Sequence, residues 1–153
     1  WKALLLLLCN YGCRIREALM LPWAHVDFAH GEITFPTIKG RRPRSRTLPL
    51  FPEVAQALMA YQATVNGDPR VFPTTDLKSG TTVAWRAFQR MLRRAGLPHF
   101  RLHDLRHTVI TKLVSMDLPT AQYWAGHASL ATTSVYSHAV RMREVFAGLK
   151  AIA

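Results

Sequence analysis

The chain has 153 residues, 49% of them hydrophobic and 19% charged, which is enough apolar matter for one packed domain and excludes wholesale disorder. Twenty Lys and Arg against nine acids give a net charge of +11, so the expected partner is a polyanion. Two cysteines, Cys9 and Cys13, cannot build a disulfide framework, and their spacing of four predicts one shared helix face in a reducing compartment, the cytoplasm or nucleoid.

Residues 2 to about 21 read as a single helix, nearly apolar at first, then polar at Arg14, Arg16 and Glu17, and stopped by Pro22. A helix apolar all round belongs in a core. Its opening, WKALLLLLCN, has the look of an export signal. The apolar run is too short to span a bilayer, and the pattern continues as an amphipathic helix, so it is read as structure, and no membrane association is expected.

Segments 32–38 and 46–50 predict a β-hairpin around the basic tip KGRRPRSR, with Pro36 expected to confine the first strand to an edge. Pro52 fits the first position of a helix with Val54, Ala57, Leu58 and Tyr61 on one face. Residues 81–95 form the clearest amphipathic helix, with the stripe Ala84, Ala87, Phe88, Met91, Leu92 and Ala95. HDLRHTVITKLVSM, LPTAQYWAG and ATTSVYSH predict three more helices, and Arg141 to Ala153 a last amphipathic piece. The fold expected is mainly α with a small antiparallel β hairpin or sheet, one domain over 1–153.

The charge is concentrated. Residues 33–52 hold Lys39, Arg41, Arg42, Arg44 and Arg46 without an acid, and residues 77–103 hold Arg86, Arg90, Arg93 and Arg94 among six basic residues, again without an acid. A short basic run is usually a solvated face. Two long acid-free stretches, on a hairpin tip and a helix face, point to phosphate contact.

Three further segments are candidates for chemistry. HDLRH puts His103 and Arg106 on one helix face, GHASLATTSVY puts His127 nine residues before Tyr136, and GCRIRE places Arg14 on an apolar helix. Each has a plain structural reading: Arg14 has Glu17 at i,i+3, His103 could be no more than a helix-start residue, and Tyr136 a core tyrosine.

Together these segments resemble the catalytic domain of the tyrosine recombinases, the phage integrase family. The Gly-x-Arg-x-x-Glu segment of that family matches Gly12 to Glu17; its hairpin lysine matches Lys39 ahead of Arg46-Thr47-Leu48-Pro49-Leu50. Its His-x-x-Arg box matches His103 to Arg106, its Gly-His box Gly126-His127, and its nucleophile Tyr136, over positions 4 to 138. Ala125 stands where leucine is usual and Asp117 where glycine is usual. The resemblance implies a domain whose first helix is truncated and that lacks the N-terminal core-binding domain.

It also implies site-specific DNA recombination through a 3′-phosphotyrosyl intermediate, without a cofactor or metal. Tyr136 attacks, Arg14, Arg106 and His127 stabilise the phosphoryl oxygens, His103 takes the tyrosine proton, and Lys39 protonates the leaving 5′-oxygen. Glu17 and Asp104 would orient the cations. The implied partners are double-stranded DNA, other recombinase subunits in a tetramer on two DNA sites, joined through the tail 141–153, and accessory DNA-bending proteins. The implied setting is the cytoplasm and nucleoid of a bacterium or phage-infected cell.

Other readings are weaker. His103-x-x-x-His107 and Cys9-x-x-x-Cys13 have metal-ligand spacings, but apolar neighbours make both cysteines core residues. No close carboxylate pair suggests a two-metal nuclease. A non-enzymatic DNA-binding relative explains the basic faces but not six filled active-site positions, and a type IB topoisomerase shares the chemistry without a defined site.

Overall fold

A computed structural model describes residues 1–37, 44–65 and 67–126 of the chain. Its elements are α1 (Lys2–Tyr11), α2 (Ile15–Leu19), a 3₁₀ turn (Trp23–His25), β1 (Val26–Asp27), β2 (Glu32–Thr37), β3 (Arg44–Pro49), α3 (Pro52–Gln62), α4 (Leu77–Arg94), α5 (Leu102–Val114) and α6 (Leu118–Ala125). The expected mainly helical fold with a small antiparallel sheet is what forms.

The first helix is not continuous. Gly12 takes a left-handed conformation (φ 55°), caps α1 by donating its N–H to Leu8 O, and turns the chain before α2. A side chain there would be strained, because the backbone is left-handed and a Cβ at Gly12 would lie 3.0 Å from Val109 Cβ. Cys9 and Cys13 therefore do not share a helix face: Cys9 is exposed at the end of α1, and only Cys13 is buried.

As expected, α1 is central. It packs against α3 on one side and α5 on the other, burying Ala3, Leu4, Leu7, Leu8 and Tyr11. Tyr11 is the largest of these. Its ring stacks on Phe51 and Trp124, and its hydroxyl donates to Pro49 O (2.8 Å) and accepts from Phe51 N (3.0 Å). A buried phenol with both hydrogen bonds made thus ties α1 to the end of the sheet.

The sheet has three strands in the order β1-β2-β3, both pairs antiparallel. This corrects the expectation that Pro36 makes β2 an edge, because β2 is the middle strand. The proline is accommodated because β1 is two residues long and pairs only with Glu32 and Ile33. At Pro36 the β1 side is already open, and only β3 is paired, through Ser45. Ile33, Phe35 and Leu48 face the core.

Pro52 opens α3, where Val54 and Leu58 are buried. The long amphipathic helix α4 starts four residues before Thr81, because Asp76 caps it: its carboxylate accepts from Ser79 N (2.9 Å) and Ser79 Oγ (2.7 Å). Ala84, Ala87, Phe88 and Leu92 are buried, whereas Ala95, at the end of the expected stripe, is exposed. Asp117 caps α6 by accepting from Thr120 N (2.7 Å), with Pro119 in its first turn. The expected helix around Tyr136 and the tail 141–153 lie outside the described residues.

Candidate active site

The site is built where the start of α2, strand β3, α5 and the end of α6 converge. Arg14 is the N-cap residue of α2, immediately after the Gly12 turn. Glu17, one turn later, accepts from the Arg14 backbone N–H (2.9 Å) and from Arg14 Nη1 (2.8 Å). This explains the Arg-x-x-Glu spacing: an acid at the third helical position satisfies an orphan N–H and aims the arginine.

Glu17 is fully buried, and a lone buried carboxylate would be costly. A second cation completes it. Arg46 Nη2 donates to the other carboxylate oxygen at 2.8 Å, and Arg46 is 2% exposed. Burial pushes the Glu17 carboxyl up, but the charge and hydrogen bond of Arg46, together with the two Arg14 bonds, more than offset it. The carboxyl is held below its ordinary 4.5. Arg14, by contrast, leaves 32% of its side chain in solvent, so one guanidinium of this pair is open to an incoming anion.

Burial of Arg46 corrects its assignment to the DNA-contacting surface. Its guanidinium lies over the Phe35 ring (5.1 Å) and against Gly126, where a Cβ would come within 2.9 Å of Nη1. Gly126 itself is left-handed (φ 62°) at the end of α6. Two needs therefore coincide on that glycine, the backbone turn and the close approach of an arginine.

Arg106, on α5, is also 2% exposed. Nη1 donates to Gly12 O (2.7 Å) and Nη2 to Ala125 O (2.8 Å), so one guanidinium joins the turn before Arg14 to the residue before Gly126-His127. Ala125, which departs from the usual leucine, is fully buried.

His103 sits one turn before Arg106, exposed, with its ring edge-on to His107 at 4.7 Å. Partial burial, then the charges of His107, Arg106 and Arg14, hold its pKa below the ordinary 6.5. The neutral imidazole, the form that accepts a proton, is therefore favoured.

Asp104 is engaged at the start of α5. It caps α5 by accepting from Arg101 N (2.8 Å) and pairs with the Arg101 guanidinium (3.1 Å). Arg101 is the cation that Asp104 is seen to hold.

Arg86, Arg90, Arg93 and Arg94 are exposed on α4. The first three line an open hollow of about 880 Å³ with Trp85, Gln89 and His99. Arg44 begins β3. Lys39, Arg41, Arg42, His127 and Tyr136 lie outside the described residues.

The sequence reading missed three parts of this arrangement: the carbonyls of Gly12 and Ala125, and the inward turn of Arg46. Main-chain acceptors leave no trace in residue identity. The buried pair joins residues 29 apart, though a family-like Arg in an apolar strand was a usable signal.

Residues 1–143 match the phage integrase family. Among curated relatives, the chain is 34% identical over 147 residues to tyrosine recombinase XerC of Chlamydia caviae, covering 90% of this chain and 46% of that protein. It is 31% identical to tyrosine recombinase XerD of Neisseria meningitidis serogroup B, covering 90% and 50%. The chain thus spans about half the length of the curated relatives it matches.

The crystal structure of XerA recombinase superposes with a TM-score of 0.75 at 26% identity, over 95% of this chain and 56% of that one. XerH site-specific recombinase bound to palindromic difH substrate, a post-cleavage complex, gives 0.74 at 25%, over 95% and 44%. Gly12-x-Arg14-x-x-Glu17, the His103–Arg106 box and the turn at Gly126 meet in space as well as in sequence order, and the chain belongs to the phage integrase family, the tyrosine recombinases.

Proposed function

We propose that this chain is the catalytic part of a site-specific tyrosine recombinase, which cuts and rejoins double-stranded DNA through a covalent 3′-phosphotyrosyl intermediate. The observation that carries the reading is the joint made by Arg106, whose two main-chain bonds bring the Arg14 segment to the segment leading into His127. Related XerH, caught on its difH substrate after cleavage, supports the same chemistry.

In this scheme the Tyr136 hydroxyl attacks the scissile phosphorus, the P–O5′ bond breaks, and the phosphate stays on Tyr136 while a 5′-hydroxyl leaves. His103, kept neutral by its surroundings, takes the tyrosine proton, and Lys39 gives one to the 5′-oxygen. Arg14, open to solvent and aimed by Glu17, binds the non-bridging oxygens together with His127, and Arg106 joins them by turning a guanidinium N–H from its main-chain carbonyls to the phosphate. No cofactor is needed, because bond energy is kept in the phosphotyrosyl ester.

Arg86, Arg90, Arg93 and Arg94, with Arg41, Arg42 and Arg44 of the hairpin, bind backbone phosphates. The tail 141–153 docks on a neighbouring subunit, in a tetramer on two DNA sites aided by DNA-bending proteins. The enzyme acts where its substrate is, in the cytoplasm on the nucleoid. Among the described residues, no helix is long and apolar enough to cross a membrane.

The test is covalent trapping on a nicked duplex. The wild-type protein should give a denaturant-stable protein–DNA adduct, and Tyr136→Phe should bind DNA equally and give none. Binding without any adduct in the wild type would instead assign the chain to DNA-binding relatives without catalysis.

A further inference from the structure

Strand β3 and helix α6 meet along a seam that the assigned active-site residues do not explain. Among the described residues β3 is an edge strand, paired to β2 on one side. In an antiparallel pair, each residue turns its N–H and C=O together, toward its partner or away. Thr47 turns both away from β2, to the open edge. There the Tyr123 hydroxyl accepts from Thr47 N (3.3 Å) and donates to Thr47 O (3.1 Å). Tyr123 is 55% exposed, so its ring is not held there by burial; the hydroxyl makes the link.

One residue before Thr47, Arg46 presses on Gly126 from within, so the seam has an outer and an inner fastening. Its two sides lead to different chemistry. β3 begins five residues after Lys39 in the sequence, and α6 ends at Ala125, two residues before His127.

We propose that Tyr123 is a positioning residue: through Thr47 it fastens the strand that follows the Lys39 segment to the helix that ends just before Gly126-His127, and so sets the proton donor for the leaving 5′-oxygen relative to the groups that bind the phosphate. This rests on the reading of Lys39 as general acid. Tyrosine suits position 123. The phenol spans from helix to strand and offers a donor and an acceptor at one atom, which matches one N–H and one C=O. Phenylalanine keeps the span and loses both bonds.

The experiment compares the wild-type protein, Lys39→Ala and Tyr123→Phe in single-turnover cleavage of a nicked duplex. The bridging 5′-atom is oxygen in one substrate and sulfur in the other, since a thiolate leaves without a proton. On oxygen, Tyr123→Phe should cleave about tenfold more slowly at unchanged half-saturating DNA, and on sulfur it should come within about twofold of wild type, following Lys39→Ala in kind. In the DNA-free protein, exchange of the Thr47 amide hydrogen should rise by about tenfold.

A Tyr123→Phe rate equal to wild type on oxygen overturns the proposal, and so does an equal slowing on both substrates, which marks a loss of structure alone. If Lys39→Ala is not rescued by sulfur, the general-acid reading fails and the proposal falls with it. Rescue of Lys39→Ala beside an unaffected Tyr123→Phe overturns the seam alone.

Discussion

Replacing Gly126 by alanine separates backbone strain from the arginine packed against it. The residue has φ 62°, where an L side chain costs about 1–2 kcal/mol. The new Cβ would also lie 2.9 Å from Arg46 Nη1. An arginine at the surface would swing aside. Arg46 cannot do so freely, because it is 2% exposed, bonded to Glu17 at 2.8 Å and packed over Phe35. Pushing it away either stretches that ion pair or moves the end of α6. We expect a further ~1–3 kcal/mol, the usual cost of overpacking.

Gly31 is the matched control, with φ 66° and, among the described residues, nothing within 4 Å of its Cβ position. Gly31→Ala should lose only the strain energy and keep cleavage intact. Gly126→Ala should melt at least ~2 °C below Gly31→Ala in a chain of this size. It should also cleave a nicked duplex about 10²-fold more slowly, because a displacement near 1 Å at the turn before His127 is enough for that. Thermal melts and single-turnover cleavage of both variants decide the matter. Equal melting temperatures and equal rates would refute the view that Arg46 is rigidly seated against the turn.

Glu17→Gln leaves Arg46 buried without a counter-charge and should cost about 3–5 kcal/mol in a denaturant melt. Because the folded Glu17 carboxyl titrates below its ordinary 4.5, the ion pairs stabilise fully above that pH, and the contribution is lost as pH falls through the lower folded value. The wild-type protein should therefore lose stability more steeply below pH 4.5 than Glu17→Gln. His103, held below 6.5, should place the acid limb of kcat/KM below that pH; Arg14→Lys, which keeps the charge, should leave the limb in place while lowering the rate. DNA binding by this chain should weaken with salt at a log–log slope near −4 to −5, as expected when about five of the arginines assigned to backbone phosphates are engaged at once, measured by fluorescence anisotropy.

What was legible in the sequence was legible because it is local. Arg14 and Glu17 share one helix turn, His103 and Arg106 another, and amphipathic α4 announces itself by its period. The features that escaped depend on distant parts. Arg46 reads as one of five cations on a basic hairpin, and only its encounter with Glu17 turns it inward. The break at Gly12 was hidden by an apolar pattern that runs on past it, and the capping geometry and the close approach of Val109 decide it. Two-residue β1 has no periodicity to read, yet it makes β2 a middle strand. Asp104 was read as a partner for catalytic cations, and its capping of α5 through the N–H of Arg101, three residues back, went unread.

The most direct test of the central reading is to locate the nucleophile chemically. After trapping on a nicked duplex and nuclease trimming, tryptic digestion should yield a peptide spanning residues 113–141, which contains both Tyr123 and Tyr136 and no internal Lys or Arg. Fragmentation by mass spectrometry should place the nucleotide on Tyr136, with a 5′-hydroxyl on the released strand. A nucleotide on Tyr123 or on any other residue, or a 5′-phosphate on the released strand, would contradict the account.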